Sequence, residues 1–106
     1  MSEILHHYIV LRNDLPSGTK LAMTVHAAGE SAVRQIPEGT FAYVLRVDDE
    51  AELLRRSERL RAIGCPHIVV REPDVPWNGQ AMAIGLVPTT DKERCSKVLG
   101  DLPLAR

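Results

Sequence analysis

Leu15-Pro16-Ser17-Gly18-Thr19-Lys20-Leu21-Ala22-Met23-Thr24-Val25-His26-Ala27-Ala28 is the stretch on which the reading of this chain turns. A loop of proline, serine and glycine passes into a run of small and apolar residues. That passage marks a helix start, with Ser17 or Thr19 available as the cap, Lys20 in the first turn and His26 in the second. Just upstream, Tyr8-Ile9-Val10-Leu11 reads as a buried strand. Ligands gather where strand ends meet helix starts in open α/β sheets, so this junction is the expected centre of the protein.

Working outward, His7 to Arg12 is the first strand, apolar enough for burial on both faces. The helix is expected over Ser17 to Gln35, with Leu21, Val25, Ala28, Ala32 and Ile36 forming the stripe that packs on the sheet. Pro37 and Gly39 stop it. Phe41 to Val47 has the β-branched and aromatic content of a second strand. Asp48-Asp49-Glu50-Ala51-Glu52 then opens a second helix, with Asp49 and Glu52 at capping-box spacing. Its packing stripe runs through Leu53, Leu54, Ser57 and Leu60, its outer face carries Arg55, Arg56, Glu58 and Arg59, and Gly64 ends it. His67 to Arg71 is the third strand, Glu72 to Gly79 a proline-bound loop, and Gln80 to Val87 a fourth strand antiparallel to the third. Thr90-Asp91-Lys92-Glu93 reads as a second capping box, starting a short helix that runs to Leu99 before Gly100. The order β-α-β-α-β-β-α gives an α/β fold, a four-stranded mixed sheet flanked by helices on its faces.

A chain of 106 residues makes one domain, residues 1–106. Hydrophobic residues at 44 % and charged residues at 25 % are ordinary for a globular protein, and no apolar run approaches the ~20 residues that span a bilayer. Met1 to His7 lacks the basic start and apolar core of a secretory leader, so the expected location is the cytoplasm, away from membranes. Cys65 and Cys95 are too few for a disulfide framework and read as reduced, buried thiols. A formal net charge of −1 excludes a surface coated in positive potential, so any nucleic-acid contact must be a local patch. His6-His7 and Cys65-Pro66-His67 offer metal-ligand types without a four-ligand pattern, and neither a metal nor a cofactor is expected. Phosphate-binding glycine loops and a Gly-x-Ser-x-Gly elbow are absent.

The candidate chemistry lies near the junction. His26, an imidazole in the second turn, can act as a base or orient water. Lys20, a cation at the positive end of a helix dipole, makes sense if an anion joins it there. Six residues separate the two, ~9 Å along the axis, so they share a small target only if Lys20 lies in the entry loop. Glu72 and Asp74, leaving the third strand, can orient a histidine or a water. Arg55 and Arg59, one turn apart, can contact phosphates, although helix neighbours such as Glu52 and Glu58 compete for them.

With these residues in hand, the chain resembles the second class of peptidyl-tRNA hydrolases, the class best known from archaea and eukaryotes. The matching pieces run from Tyr8-Ile9-Val10-Leu11-Arg12-Asn13-Asp14-Leu15, through Gly18 and the Ala22 to Ala27 segment, to the acid-led helix ending at Gly64. They continue with Ile68-Val69-Val70, Ala83-Ile84-Gly85-Leu86-Val87-Pro88 and Lys97 to Leu104. The resemblance implies the same mixed sheet, a homodimer, and hydrolysis of the ester joining a peptide to tRNA. Under it His26 and Glu72 would position the attacking water. Lys20 and the backbone at Gly18 and Thr19 would hold the terminal phosphate or developing oxyanion, and Asp74, Arg55 and Arg59 would contact substrate. The family's pattern places a lysine where Thr19 stands, a glutamine at Met23 and a threonine at Met82, and a thioether cannot replace an amide's hydrogen bonds. Those departures set a second expectation beside the first: a catalytically degenerate scaffold that binds tRNA or another partner.

Overall fold

The computed structural model describes residues 3–106; Met1 and Ser2, part of the segment read for a leader, lie outside the described residues. Seven elements follow one another: β1 (His6–Arg12), α1 (Ser17–Ser31), β2 (Phe41–Val47), α2 (Glu50–Ala62), β3 (His67–Glu72), β4 (Gln80–Leu86) and α3 (Lys92–Leu99). The sheet order is β2-β1-β4-β3, with β1 parallel to β2, and β4 antiparallel to both β1 and β3. This is the expected mixed sheet in one α/β domain. Apolar β1 lies inside it, as a strand buried on both faces must. Among the described residues no helix is long and apolar enough to cross a membrane.

Side-chain alternation divides the core in two. Tyr8 and Val10 point to one face, where α2 and α3 cover them with Leu53, Leu60, Val98 and Leu99. Ile9 and Leu11 point to the other, under α1, with Met23, Ala27, Val70, Met82 and Ala83. The β3–β4 register skips one residue, Val70 pairing with Ala83 and Arg71 with Ala81. Met82 is therefore the extra residue of a bulge, and its side chain joins Ala83 beneath α1 instead of alternating away.

Helix α1 departs from expectation in three ways. Its cap is Pro16, with no side-chain cap bond, so neither Ser17 nor Thr19 serves; the Lys20 amide reaches the Pro16 carbonyl instead. It ends at Ser31 and not Gln35, because Val33 takes a left-handed φ of 58°, which a β-branched residue adopts only where the chain must turn sharply. Most consequentially, its packed face is Met23, Ala27 and Ser31, while Leu21 and Val25 are each 72 % exposed. The small residues face the sheet because β4 comes very close at Gly85, where a built-on Cβ would lie 2.6 Å from Ser31 Oγ. A leucine stripe does not fit that gap.

Asp49 caps α2 as its spacing predicts, accepting from the Glu52 amide at 2.9 Å, and Gly64 turns the chain at φ 72°. Asp91, one residue later than Thr90, caps α3 through the Arg94 amide at 3.1 Å. Arg56, expected outside, is buried. Its guanidinium meets Glu52 at 2.8 Å, Asp101 at 2.6 and 2.9 Å, and the Val98 carbonyl at 2.6 Å. These contacts lower the pKa of both carboxyls and tie α2 to the end of α3.

His7 anchors α1 from below. The Ser31 hydroxyl donates to the Ala27 carbonyl at 2.6 Å, so it accepts from His7 Nε2 at 2.8 Å, and the buried imidazole is the neutral tautomer protonated there. Burial lowers its pKa from 6.5, so the unfolded chain binds that proton more readily than the folded one. Stability is therefore full above about 6.5 and falls as pH drops below it. The urea midpoint is expected to fall between about pH 7.5 and about pH 5.5, above the carboxylate range, and His7→Gln is expected to flatten that fall.

Candidate functional site

The ends of β1 and β2, the start of β4, the end of β3 and the starts of α1 and α2 meet at one edge of the sheet. Arg12 organises it. The guanidinium forks onto Asp14, Nε to Oδ1 and Nη2 to Oδ2, both at 2.8 Å. Nη1 donates to Gln80 Oε1 at 2.8 Å and to the Ala81 carbonyl at 3.0 Å. It also lies 5.6 Å over the Trp77 ring. The pairing holds the Asp14 carboxyl below its usual range. With its donors engaged, Arg12 is a strut of the mouth and not a free ligand for an anion. The sequence reading missed this role; the Arg12-x-Asp14 pair closing a buried strand is the signal that carried it.

Around this strut the mouth residues are held by local bonds. Lys20 Nζ donates to Asn13 Oδ1 at 3.0 Å, which keeps the ammonium at the helix entry. Gly18 is exposed and Thr19 half-buried in the same first turn. Glu72 closes β3 rather than opening the loop, and its Oε1 accepts from the Asp74 amide at 3.1 Å. The Asp74 carbonyl takes the amides of Trp77 and Asn78 at 2.9 and 3.0 Å. Glu50 Oε2 accepts from the Ala81 amide at 2.7 Å. Asp14, Asp49, Glu50, Glu72 and Asp74 thus sit at an edge with three cations, Arg12, Lys20 and Arg71, the last donating from Nη1 to the Gly79 carbonyl at 3.0 Å. That balance repels phosphates more than it gathers them.

His26 stands apart. Its side chain is 59 % exposed on the outer face of α1, with Nδ1 3.7 Å from Glu30 Oε2 one turn on. Among the described residues no hydrogen bond or ion pair joins His26, Lys20 and Glu72. Met23 and Met82 both lie in the packed core between α1 and the sheet. Arg55 and Arg59 ride on α2, across the sheet from α1: Arg55 pairs with Glu52 at 2.7 Å, and Arg59 reaches the Lys97 carbonyl at 3.3 Å. The edge therefore brings together Lys20, Gly18, Thr19, Glu72 and Asp74, and leaves out His26, Arg55 and Arg59.

Cys65 and Cys95 are free and buried, as expected, and line a small cavity of about 180 Å³ with Asp91 and Arg94. Burial pushes the Cys95 thiol up to about 12, so it stays protonated and unreactive at neutral pH. Among the described residues no three His, Cys, Asp or Glu side chains are arranged to hold a metal ion.

No family model matches the chain, and no curated protein matches it. Its fold is that of a solved protein of unknown function from Agrobacterium tumefaciens strain C58. The TM-score is 0.70 at 15 % identity, covering 100 % of both chains. A likeness at this identity speaks to the fold alone.

Proposed function

We propose that this chain is a binding module built on a peptidyl-tRNA hydrolase-like scaffold, working through a protein partner and not through ester cleavage. The observation that carries this reading is the packing of Met23 and Met82 into the core beneath α1. At the positions where the resemblance puts an amide and a hydroxyl, two thioethers fill the space a polar pair would need, and no water can be oriented there. The separation of His26 from Lys20 and Glu72 supports the same reading, since a general base acts within hydrogen-bond reach of the proton it takes. The acid-rich edge favours a protein partner over tRNA.

The hydrolase reading draws support from one feature, Lys20 and Glu72 at the same sheet edge, where they can hold a phosphate and a water. A peptidyl-tRNA turnover assay separates the two. We expect the rate with purified protein to equal the buffer rate, and His26→Ala and Lys20→Ala to leave it unchanged. Turnover that either substitution abolishes returns the chain to the hydrolases. A titration with uncharged tRNA at low salt is expected to show no saturable binding; binding that weakens steeply with salt would make the partner a nucleic acid instead.

A further inference from the structure

Strand β2 is one edge of the sheet, and its backbone groups alternate in direction. The Phe41 amide donates inward to the Leu5 carbonyl at 3.0 Å, and the Val47 carbonyl accepts from the Asn13 amide at 2.8 Å. Ala42, Val44 and Arg46 therefore turn their amides and carbonyls outward. Part of that row is already taken by the chain itself. Past α3, Arg56 holds Asp101, Leu102 packs on the core, and the following residues run antiparallel to β2 with Leu104 opposite Leu45. The Arg46 amide donates to the Pro103 carbonyl at 3.0 Å, and the Ala105 amide to the Val44 carbonyl at 2.8 Å. Arg46 Nε adds a bond to the Leu104 carbonyl at 3.1 Å.

This strap shows what the edge accepts, and it fits the edge imperfectly. Pro103 has no amide to return to Arg46, and Leu104 stays 62 % exposed. The pairing stops at Ala105, so among the described residues the Val44 amide and both outward groups of Ala42 have no partner. Continued in register, Arg106 falls opposite Tyr43, whose ring already has the Lys92 ammonium 5.7 Å from its centre. Like charge meets like there. Two positions further on, the row reaches Phe41, 52 % exposed, with the His6 ring 5.9 Å away. A strand with an acidic residue opposite Tyr43 and an apolar one opposite Phe41 matches this edge better than the strap does.

We infer that the outer edge of β2 is a docking site for an extended, acidic-apolar segment of a partner protein, which adds antiparallel to Phe41–Arg46 and displaces residues 103–105. The strap is then an internal competitor that a longer and better-matched strand replaces. The inference goes beyond the binding reading by naming a surface and the partner's chemistry. The two fail separately: turnover of peptidyl-tRNA overturns that reading and leaves this edge untouched, whereas peptide affinity says nothing of turnover.

The probe is a labelled synthetic peptide, Asp-Leu-Pro-Leu-Ala-Glu-Thr-Val-Thr, which copies the strap, sets glutamate opposite Tyr43 and valine opposite Phe41. Titrated with the full chain, it is expected to bind saturably and to move the amide resonances of Ala42, Val44 and Arg46. Ala105→Pro removes the strap's own donor to Val44, so it is expected to tighten peptide binding at least about fivefold by releasing the competitor. Methylating the peptide nitrogen that donates to Val44 is expected to weaken binding at least about tenfold, and lysine in place of the glutamate about threefold at low salt. Absence of binding at millimolar peptide overturns the inference. Equal affinity for the parent and Ala105→Pro does so as well, because the peptide then lies elsewhere, and so does equal affinity for the methylated peptide, because no ladder is formed. If a second copy takes the edge instead, peptide affinity falls as protein concentration rises, which also overturns it.

Discussion

Gly85→Ala is expected to destabilise the domain by about 3 kcal/mol, lowering the melting temperature by on the order of 10–20 °C. Gly85 lies in β4 between Ile9 and Ile68, facing α1. A methyl group there would run into the Ala27 carbonyl and approach Ser31 Oγ at 2.6 Å and Ser31 Cβ at 2.8 Å. Two of these atoms belong to a helix backbone and its first side-chain carbon, so relief comes only by lifting α1 from the sheet. Lifting it also stretches the bond from His7 to Ser31, the one that fixes the buried imidazole. The contrast is Gly29→Ala, on the opposite side of the same helix and in open space. That substitution is expected to stabilise by roughly 0.5–1 kcal/mol, as alanine for glycine does inside an exposed helix. Urea denaturation of the two variants, read side by side, checks both signs; equal effects would mean that α1 does not press on β4.

Arg12→Ala is expected to be the second large loss, about 2–3 kcal/mol. The Asp14 partner is partly solvent-exposed, so the ion pair itself contributes little of this. The loss comes from what the substitution leaves behind: the buried Ala81 carbonyl and Gln80 Oε1 lose their donor, and Trp77 loses the guanidinium beside its ring. Because these groups hold the β3–β4 loop to the end of β1, the loop is expected to loosen first. Faster amide exchange at Trp77, Asn78 and Gly79, ahead of β1 itself, is the measurement that separates a strut from a general packing defect. Arg12→Lys keeps the charge but loses the fork, and is expected to recover less than half of the loss.

Much of the fold was legible locally. Alternation and composition gave every strand to within a residue at each end, since a strand buried on both faces must be written almost wholly in apolar residues. Asp49 and Gly64 announced the ends of α2 because a cap and a left-handed turn are short-range events, decided by a carboxylate three residues from an amide and by a missing Cβ. The face of α1 was not legible in the same way. Its periodicity offers two apolar stripes, Leu21-Val25 and Met23-Ala27, and hydrophobicity alone favours the bulkier one. The choice between them belongs to Gly85, more than fifty residues away in the chain, whose bare backbone admits only small side chains opposite.

The candidate site divides along the same line. That Lys20, Glu72 and Asp74 would share an edge follows from the order of strands and helices, which the sequence dictates through its periods and breakers. That His26 faces water beside Glu30, that Arg12 is consumed in holding the mouth, and that Met82 turns under α1 through a bulge were decided by tertiary packing alone. Local sequence determined where each element begins and ends, because capping and pleating act within a few residues. Which side of α1 meets the sheet depends on how closely two backbones approach, and that distance exists only once the chain has folded.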